Sequence, residues 1–397
     1  MISKQPSTAV PLTLCHVAQG IKGILRDGEI HTFERAFAGF NGLKHAIAVG
    51  NGTTALYVTL CAMKELKPDR DEVILPAYTV PTLTLAFTRA GLKTVLCDVE
   101  RDTFNMDPES MTSVVTDRTL AIIPVHMFGF PCTLEKAVHI KRERGVFVLE
   151  DACQAPGARL HGRRVGSIGD AGFFSLCKGK NMSTFHGGIV VTDNDLLAEK
   201  IRKIVEELPP RGIIYRLSIP AVLTAFSFAM RPWFYGMFYT HIAHFKSTTV
   251  HAQFYPSVYN GFMAGVGNVI LPRLEEWNRI RLTNGQALMD GLKGDEGLIL
   301  PRIIEGADPV FNHVPLVFYD RTRMEKTQNR LWEKGIDTGR MYERPINHIY
   351  DWLGYEREPE PFPNAAFIAP RLLTLPSHPY LDEKIISQMI ETVKSTA

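Results

Sequence analysis

What most constrains the fold is a recurrence of short, almost uninterrupted apolar runs, each followed by a longer stretch in helical register. KHAIAVG (44–50), DEVILPAY (71–78), KTVLCDVE (93–100), TLAIIPVH (119–126) and GVFVLEDA (145–152) are the runs. Apolar residues on consecutive positions mark a strand buried on both faces, the condition of a parallel sheet covered by helices. TTALYVTLCAMKEL (53–66) and TLEKAVHIKRERG (133–145) lie between runs and carry apolar residues near helical spacing. Repeated βα units predict an α/β fold with a mostly parallel central sheet. GGIVVTDN (187–194) reads as a further strand of it. Past residue 270 the pattern changes: LPRLEEWNRIRLTNGQALMDGL is a long amphipathic helix, followed by strand candidates at 310–319 and a C-terminal helix at 382–396. This predicts a large domain over 1–260 and a smaller C-terminal α+β domain over 261–397.

Composition narrows the function classes. Of 397 residues, 45% are hydrophobic and 22% charged, which is ordinary for a globular protein. A net charge of +2 gives no electrostatic reason to expect nucleic acid, and none is expected. The six cysteines form no CxxC pair, so no metal is expected. MISKQPSTAV lacks the apolar core of a secretory signal, so a cytoplasmic location with reduced thiols is the default expectation.

The chemistry-bearing residues cluster at the ends of the predicted strands. Gly50-Asn51-Gly52-Thr53-Thr54 is a strand running into a glycine turn and a helix, which offers backbone N–H groups and a hydroxyl to an anion. The bland alternative is an ordinary strand-to-helix turn. Glu150, Asp151 and Gln154 stand at the C-terminal end of the run at 145–152, where open α/β sheets bind ligands. A carboxylate there suits a protonated ring nitrogen, although an aspartate after a strand also serves as a helix cap. Lys180 lies 29 residues after Asp151 in a polar, glycine-bounded loop, with Ser175 five residues before it. A lysine held near a cationic cofactor acts as nucleophile and proton carrier. Lys178 reads as the ordinary solvated neighbour.

Taken together, NGTTAL, PAYTVPTLTLAFTRAGLKTVLCDVE, PVHMFGFP, EDACQAPGA, GSIGDAGFFSLCKGKN and HGGIVVTD resemble the sugar aminotransferases of the DegT/DnrJ/EryC/StrS family. The similarity runs from 28 to 204 and resumes from 259, including DTGRMYERPINH (337–348) and PNAAFIAPRLLTLPSHPYLDEK (363–384), roughly four-fifths of the chain. The resemblance implies a fold-type-I enzyme dependent on pyridoxal 5'-phosphate. It would move an amino group from an amino acid, commonly glutamate, to a nucleotide- or lipid-linked keto sugar. The route implied is ping-pong through pyridoxamine phosphate. It implies Lys180 as the lysine that carries the cofactor, Asp151 at the pyridinium nitrogen and Gln154 at the phenolic oxygen. Gly52, Thr53 and Ser175 would hold the phosphate. Asn260 would reach the phosphate of a neighbouring subunit, so a homodimer with shared active sites is implied.

Four departures stand against that pattern. Relatives carry an aromatic residue after the threonine of the PxxT motif to stack on the ring, where this chain has Val80; Tyr78 is the nearby candidate. Phe185-His186 replaces a glycine–acid pair, and His186 is a candidate for substrate binding or tuning. Phe262 stands where an arginine is usual.

The fourth departure is an insertion over 205–250. Leu217–Met230 carries no charge, and Arg231 then precedes PWFYGMFYTHIAHF. Each run is shorter than the roughly 20 residues of a membrane span. Two short helices started or bent at Pro220 and Pro232 would instead lie in one leaflet, with Arg211, Arg216, Arg231 and Lys246 at headgroup level. Contact with the inner face of a membrane through 213–245 is therefore expected, against a dimer arm or a lid packed on the protein itself. Its removal is expected to leave cofactor binding intact. A long-chain ketone at the membrane and a non-catalytic sensor or scaffold are the alternative functions. The dehydratase relatives lack the lysine, which Lys180 argues against.

Overall fold

The computed structural model describes residues 4–243, 253–356 and 358–397. Seven strands form the central sheet: β1 (His45–Val49), β2 (Glu72–Pro76), β3 (Lys93–Cys97), β4 (Thr119–Ile122), β5 (Phe147–Asp151), β6 (Ala171–Ser175) and β7 (Gly188–Thr192). Their order is β1-β7-β6-β5-β4-β2-β3. Neighbours from β6 through β3 are parallel. β7 runs antiparallel to both of its neighbours, β1 and β6. The predicted α/β fold with a mostly parallel sheet is what forms.

β2, β4, β5, β6 and β7 are buried at every position, which explains their continuous apolar runs. The Gly52–Leu66 helix starts immediately after β1, capped by Asn51, whose side chain accepts from Thr54 N. The long helix settles as Leu274–Leu292 after a 3-10 turn. A three-stranded sheet of Leu298–Ile299, Val314–Phe318 and Leu372–Leu375 forms the C-terminal layer. The N-terminal residues cross between the two parts: Gln5 pairs with Ile336, and Thr8 Oγ1 donates to the carbonyl of Gly179 at 3.4 Å.

The insertion forms helices Ile213–Ala229 and Pro232–Ala243. Pro232 opens the second helix, whereas Pro220 lies inside the first, where it removes one donor from the ladder. Ile219, Leu223, Ser227 and Tyr235 are buried, so one side of each helix packs on the protein. Among the described residues no helix is long and apolar enough to cross a membrane. Lys246 lies outside the described residues.

Candidate active site

Asp151 is the last residue of β5 and is almost fully buried. It caps no helix; its Oδ1 accepts from Cys153 N at 2.9 Å in the turn that follows. Burial raises its carboxyl above the ordinary range, and the Cys153 donors, the Lys180 ammonium and His126 only partly oppose the shift. A buried carboxylate held high in this way would be relieved by a cation placed against it.

Beside it, Glu150 anchors the floor of the site. Its carboxylate accepts from Gly166 N at 2.8 Å, Ile168 N at 2.6 Å and Gly169 N at 2.7 Å, and faces His126 Nε2 at 3.1 Å. Burial alone would raise this carboxyl, but these donors outweigh it and hold it below the ordinary range. His126 Nδ1 accepts from Cys132 N at 3.1 Å, which fixes the proton on Nε2, toward Glu150.

Lys180 sits in the loop joining β6 to β7. Gly179, at φ +84°, precedes it in the left-handed region that side chains avoid. Asn312 Nδ2 donates to Gly179 O at 3.1 Å and to Asn181 Oδ1 at 2.9 Å; Asn181 in turn donates to Asn278 Oδ1 at 3.0 Å. The loop is thus tied to the C-terminal part from both sides of the lysine. Lys180 is half-buried, whereas Lys178 is exposed, with its Nζ 4.6 Å from the centre of the Phe185 ring. The ammonium of Lys180 acts electrostatically on both Asp151 and Cys153.

A cradle lies alongside. Gly52 opens its helix, so its N–H points out of the positive end. A Cβ at Gly52 would lie 2.9 Å from Ser175 Cβ, and one at Gly188 would collide with the Asn51 carbonyl. Only glycines let the two turns approach this closely. Thr53 is half-buried at the second helical position, and Ser175 Oγ accepts from Cys177 N at 3.4 Å. Thr79 Oγ1 is buried with no hydrogen-bond partner among the described residues. A glycine cradle at a helix N-terminus, a buried carboxylate facing a lysine and an orphaned hydroxyl together fit a group with a phosphate and a cationic ring.

Gln154 Oε1 accepts from Phe128 N at 3.1 Å and its Nε2 contacts Met127 Sδ at 3.3 Å. Asn260 caps the Gly261–Ile270 helix through Oδ1, at 2.9 Å from Met263 N, leaving Nδ2 as the outward donor. Phe262 is buried and points into the protein, where its ring would meet a Cβ on Gly20 at 2.6 Å.

Tyr342 is the residue that sequence reasoning missed. It is reached from 260 residues away through Tyr78, whose hydroxyl donates to Met341 O at 2.8 Å and whose ring meets that of Tyr342 edge-on at 5.9 Å. Tyr342 adopts φ +54°, strained for a residue with a Cβ. Burial pushes its hydroxyl up, with Asp151 and Cys153 adding to the shift and Gln154 opposing it. Its hydroxyl therefore lies near the Asp151–Gln154 turn. A tyrosine in a loop, three residues before Pro345, gives no signal of this in one sequence.

His186 packs at 5.6 Å from the Tyr215 ring and edge-on at 4.7 Å to Phe185. Burial, then Lys178 and Arg211, lower its imidazole to about 4. Among the described residues no group of three or more His, Cys, Asp or Glu side chains is placed to hold a metal.

Residues 15–394 match the model of the DegT/DnrJ/EryC1/StrS aminotransferase family. The dTDP-3-amino-3,4,6-trideoxy-α-D-glucose transaminase of Streptomyces venezuelae is 30% identical over 372 residues, 93% of this chain and 87% of the relative. GDP-perosamine synthase of Caulobacter vibrioides is 42% identical over 170 residues, 43% of this chain and 45% of the relative. Among solved structures, S. venezuelae DesV is 26% identical with a TM-score of 0.79, each chain covered to 98%. 3-Amino-5-hydroxybenzoic acid synthase is 27% identical with a TM-score of 0.78, each chain covered to 99%. Motifs, fold and whole-length similarity agree, and the chain is an aminotransferase belonging to the DegT/DnrJ/EryC1/StrS family.

Proposed function

We propose that this enzyme uses pyridoxal 5'-phosphate to move an amino group from an amino acid, with glutamate the donor, to a keto sugar in a ping-pong reaction. The observation that carries the reading is the buried Asp151 carboxylate, raised by its surroundings, within the field of the Lys180 ammonium. When bound, pyridoxal phosphate supplies an aldehyde that takes up the amino group and a ring that withdraws electrons.

The chain's own residues then have defined tasks. Lys180 Nζ would hold the cofactor and would carry a proton to and from the substrate carbon. Asp151 keeps a proton on the ring nitrogen. Gln154, with Oε1 committed to Phe128 N, offers Nε2 to the phenolic oxygen. The Gly52 N–H and the hydroxyls of Thr53 and Ser175 hold the phosphate at the helix terminus. Asn260 Nδ2 serves the phosphate of the other subunit of a homodimer, so each site takes residues from two chains. Tyr78 positions Tyr342 against the ring. His186, neutral above about 4, binds substrate as a hydrogen-bonding group rather than as a charge.

The acceptor is read as a nucleotide- or lipid-linked keto sugar. The exposed apolar residues of the insertion, Ile214, Trp233 and Met237, support a lipid carrier, met where 213–243 lies against the inner face of a membrane. Purified protein should absorb at the visible edge, and glutamate should bleach that band. Failure of every amino acid to bleach it would overturn the transamination reading.

A further inference from the structure

We infer that the uncovered faces of the Leu14–Ile24 helix and the two insertion helices form one docking surface for a bilayer bearing anionic headgroups. The inference rests on the membrane placement in the proposed function and not on its chemistry.

Charge is divided unevenly along the chain. Residues 1–26 and 208–274 contain no Asp or Glu and hold eight of the 44 Lys and Arg residues. The remainder therefore has 36 cations against 42 carboxylates, so a nearly neutral protein has a distinctly basic part and an acidic one.

The fold brings the two basic segments together. The Leu14–Ile24 helix packs along both the Gly261–Ile270 helix and the Ile213–Ala229 helix. Its inner face is made of Val17, Gly20 and Gly23. A Cβ on Gly23 would lie only 2.9 Å from the Cα of Gly265. Its outer face repeats apolar residues at helical spacing, with Leu14 52%, Ile21 46% and Leu25 83% exposed and Ala18 between them. Lys22 and Arg26 are exposed beside this stripe. On the insertion, Ile214 is 82%, Val222 40%, Trp233 57% and Met237 52% exposed, while Ile219, Leu223 and Tyr235 face inward.

An amphipathic helix whose inner face is already satisfied by protein has no folding reason to keep a second apolar stripe. Exposed aliphatic and Trp side chains, flanked by cations and free of carboxylates, are the composition of helices that lie in a membrane interface. No described helix is long and apolar enough to cross, which restricts the contact to one leaflet. A second copy of the chain on the same face would set Lys22 and Arg26 against the same two cations. An anionic surface turns that repulsion into attraction.

Flotation of the full chain with vesicles of phosphatidylcholine alone, and of phosphatidylcholine with phosphatidylglycerol, tests this. The protein should float with the anionic vesicles, not with the neutral ones, and should be released by high salt. The pairs Ile21→Ser with Leu25→Ser, and Ile214→Ser with Trp233→Ser, should each weaken vesicle affinity by about tenfold or more. All four side chains are exposed, and an unchanged melting temperature will show that the fold is kept. Absence of flotation with anionic vesicles, equal flotation with neutral ones, or wild-type affinity in the Ile21/Leu25 pair overturns the inference. So does gel filtration in which that pair splits a dimer, since a second copy would then occupy the face. Cofactor uptake read on the same preparations separates the two failures. Protein that binds cofactor but no vesicles sinks the docking surface and the membrane placement but leaves the transamination reading; protein that floats but takes up no cofactor sinks only the transamination reading.

Discussion

Phe226, on the first insertion helix, meets Phe185 of the lysine loop edge-on at 5.4 Å between ring centroids. The ring of Tyr215 on the same helix lies tilted against His186, and Tyr235 of the second helix donates to Asp337 Oδ2 at 2.8 Å. The insertion is therefore wedged between the loop that carries Lys180 and the C-terminal part. This packing revises the expectation that the insertion can be removed without consequence for the cofactor.

Phe226→Ala should cost about 1–3 kcal/mol of stability. Deleting 213–245 should in addition weaken cofactor affinity, because Phe185 sits at φ +75° and is held there by packing. Thermal unfolding and a cofactor titration measure the two effects. A deleted protein that binds cofactor like the wild type would show that the loop holds itself.

Lys180→Ala should abolish cofactor attachment that survives borohydride reduction, read by mass spectrometry, while leaving the melting temperature of the apoprotein within about 1 kcal/mol of wild type in stability terms. Lys178→Ala, the exposed neighbour, should change neither. Retained covalent label in the Lys180 variant would move the role to another lysine.

Asp151→Asn keeps the shape of the site but removes the charge that a protonated ring nitrogen needs. The rate at which glutamate bleaches the visible band should fall roughly 100-fold or more, with the cofactor still bound. A rate within a few-fold of wild type would remove Asp151 from the machinery.

Tyr342→Ala should weaken cofactor affinity about three- to tenfold through the lost ring face, and Tyr342→Phe should not. Adding Val80→Phe to the alanine variant should restore part of the loss. Fluorescence titration of the apoprotein reads all three. Equal affinity in wild type and Tyr342→Ala would show that this ring does not cover the cofactor.

His186 gives a pH prediction whose sign is fixed by its lowered imidazole, about 4 when folded against 6.5 for an unperturbed histidine. As pH falls, the unfolded chain takes the proton first, so the folded state loses stability between about 6.5 and 4 and keeps it fully above that window. In His186→Gln the melting temperature should decline less over the same interval. An activity limb between pH 5 and 8 that disappears in this variant would mean that His186 does titrate there, against the reading of a neutral binding group.

Much of this site was legible in the sequence because local chemistry imposed it. The run Gly50–Thr54 announces a turn from strand into helix, and Asp151 ends an apolar run that had to be a buried strand. The antiparallel direction of β7 was not legible, since a strand buried on both faces reads the same either way. Nor was Tyr342, which reaches the Asp151–Gln154 turn only because the C-terminal part folds back and Tyr78 fixes Met341. Asn312 and Asn278 were invisible for the same reason: they act on Gly179 and Asn181 across more than 90 residues. The insertion announced its apolar character but not that one side of it is spent on Phe185 and Asp337.

The glycine contact between the Leu14–Ile24 and Gly261–Ile270 helices has a mechanical meaning. Gly23 and Gly261 leave no space for a side chain between the two backbones, so the helices have no slack with which to slide. Asn260 is the cap of the second helix. Any load taken up on the outer stripe of the first helix is thus passed, without a compliant layer, to Asn260. A push on that stripe and a shift of the Asn260 side chain become one event.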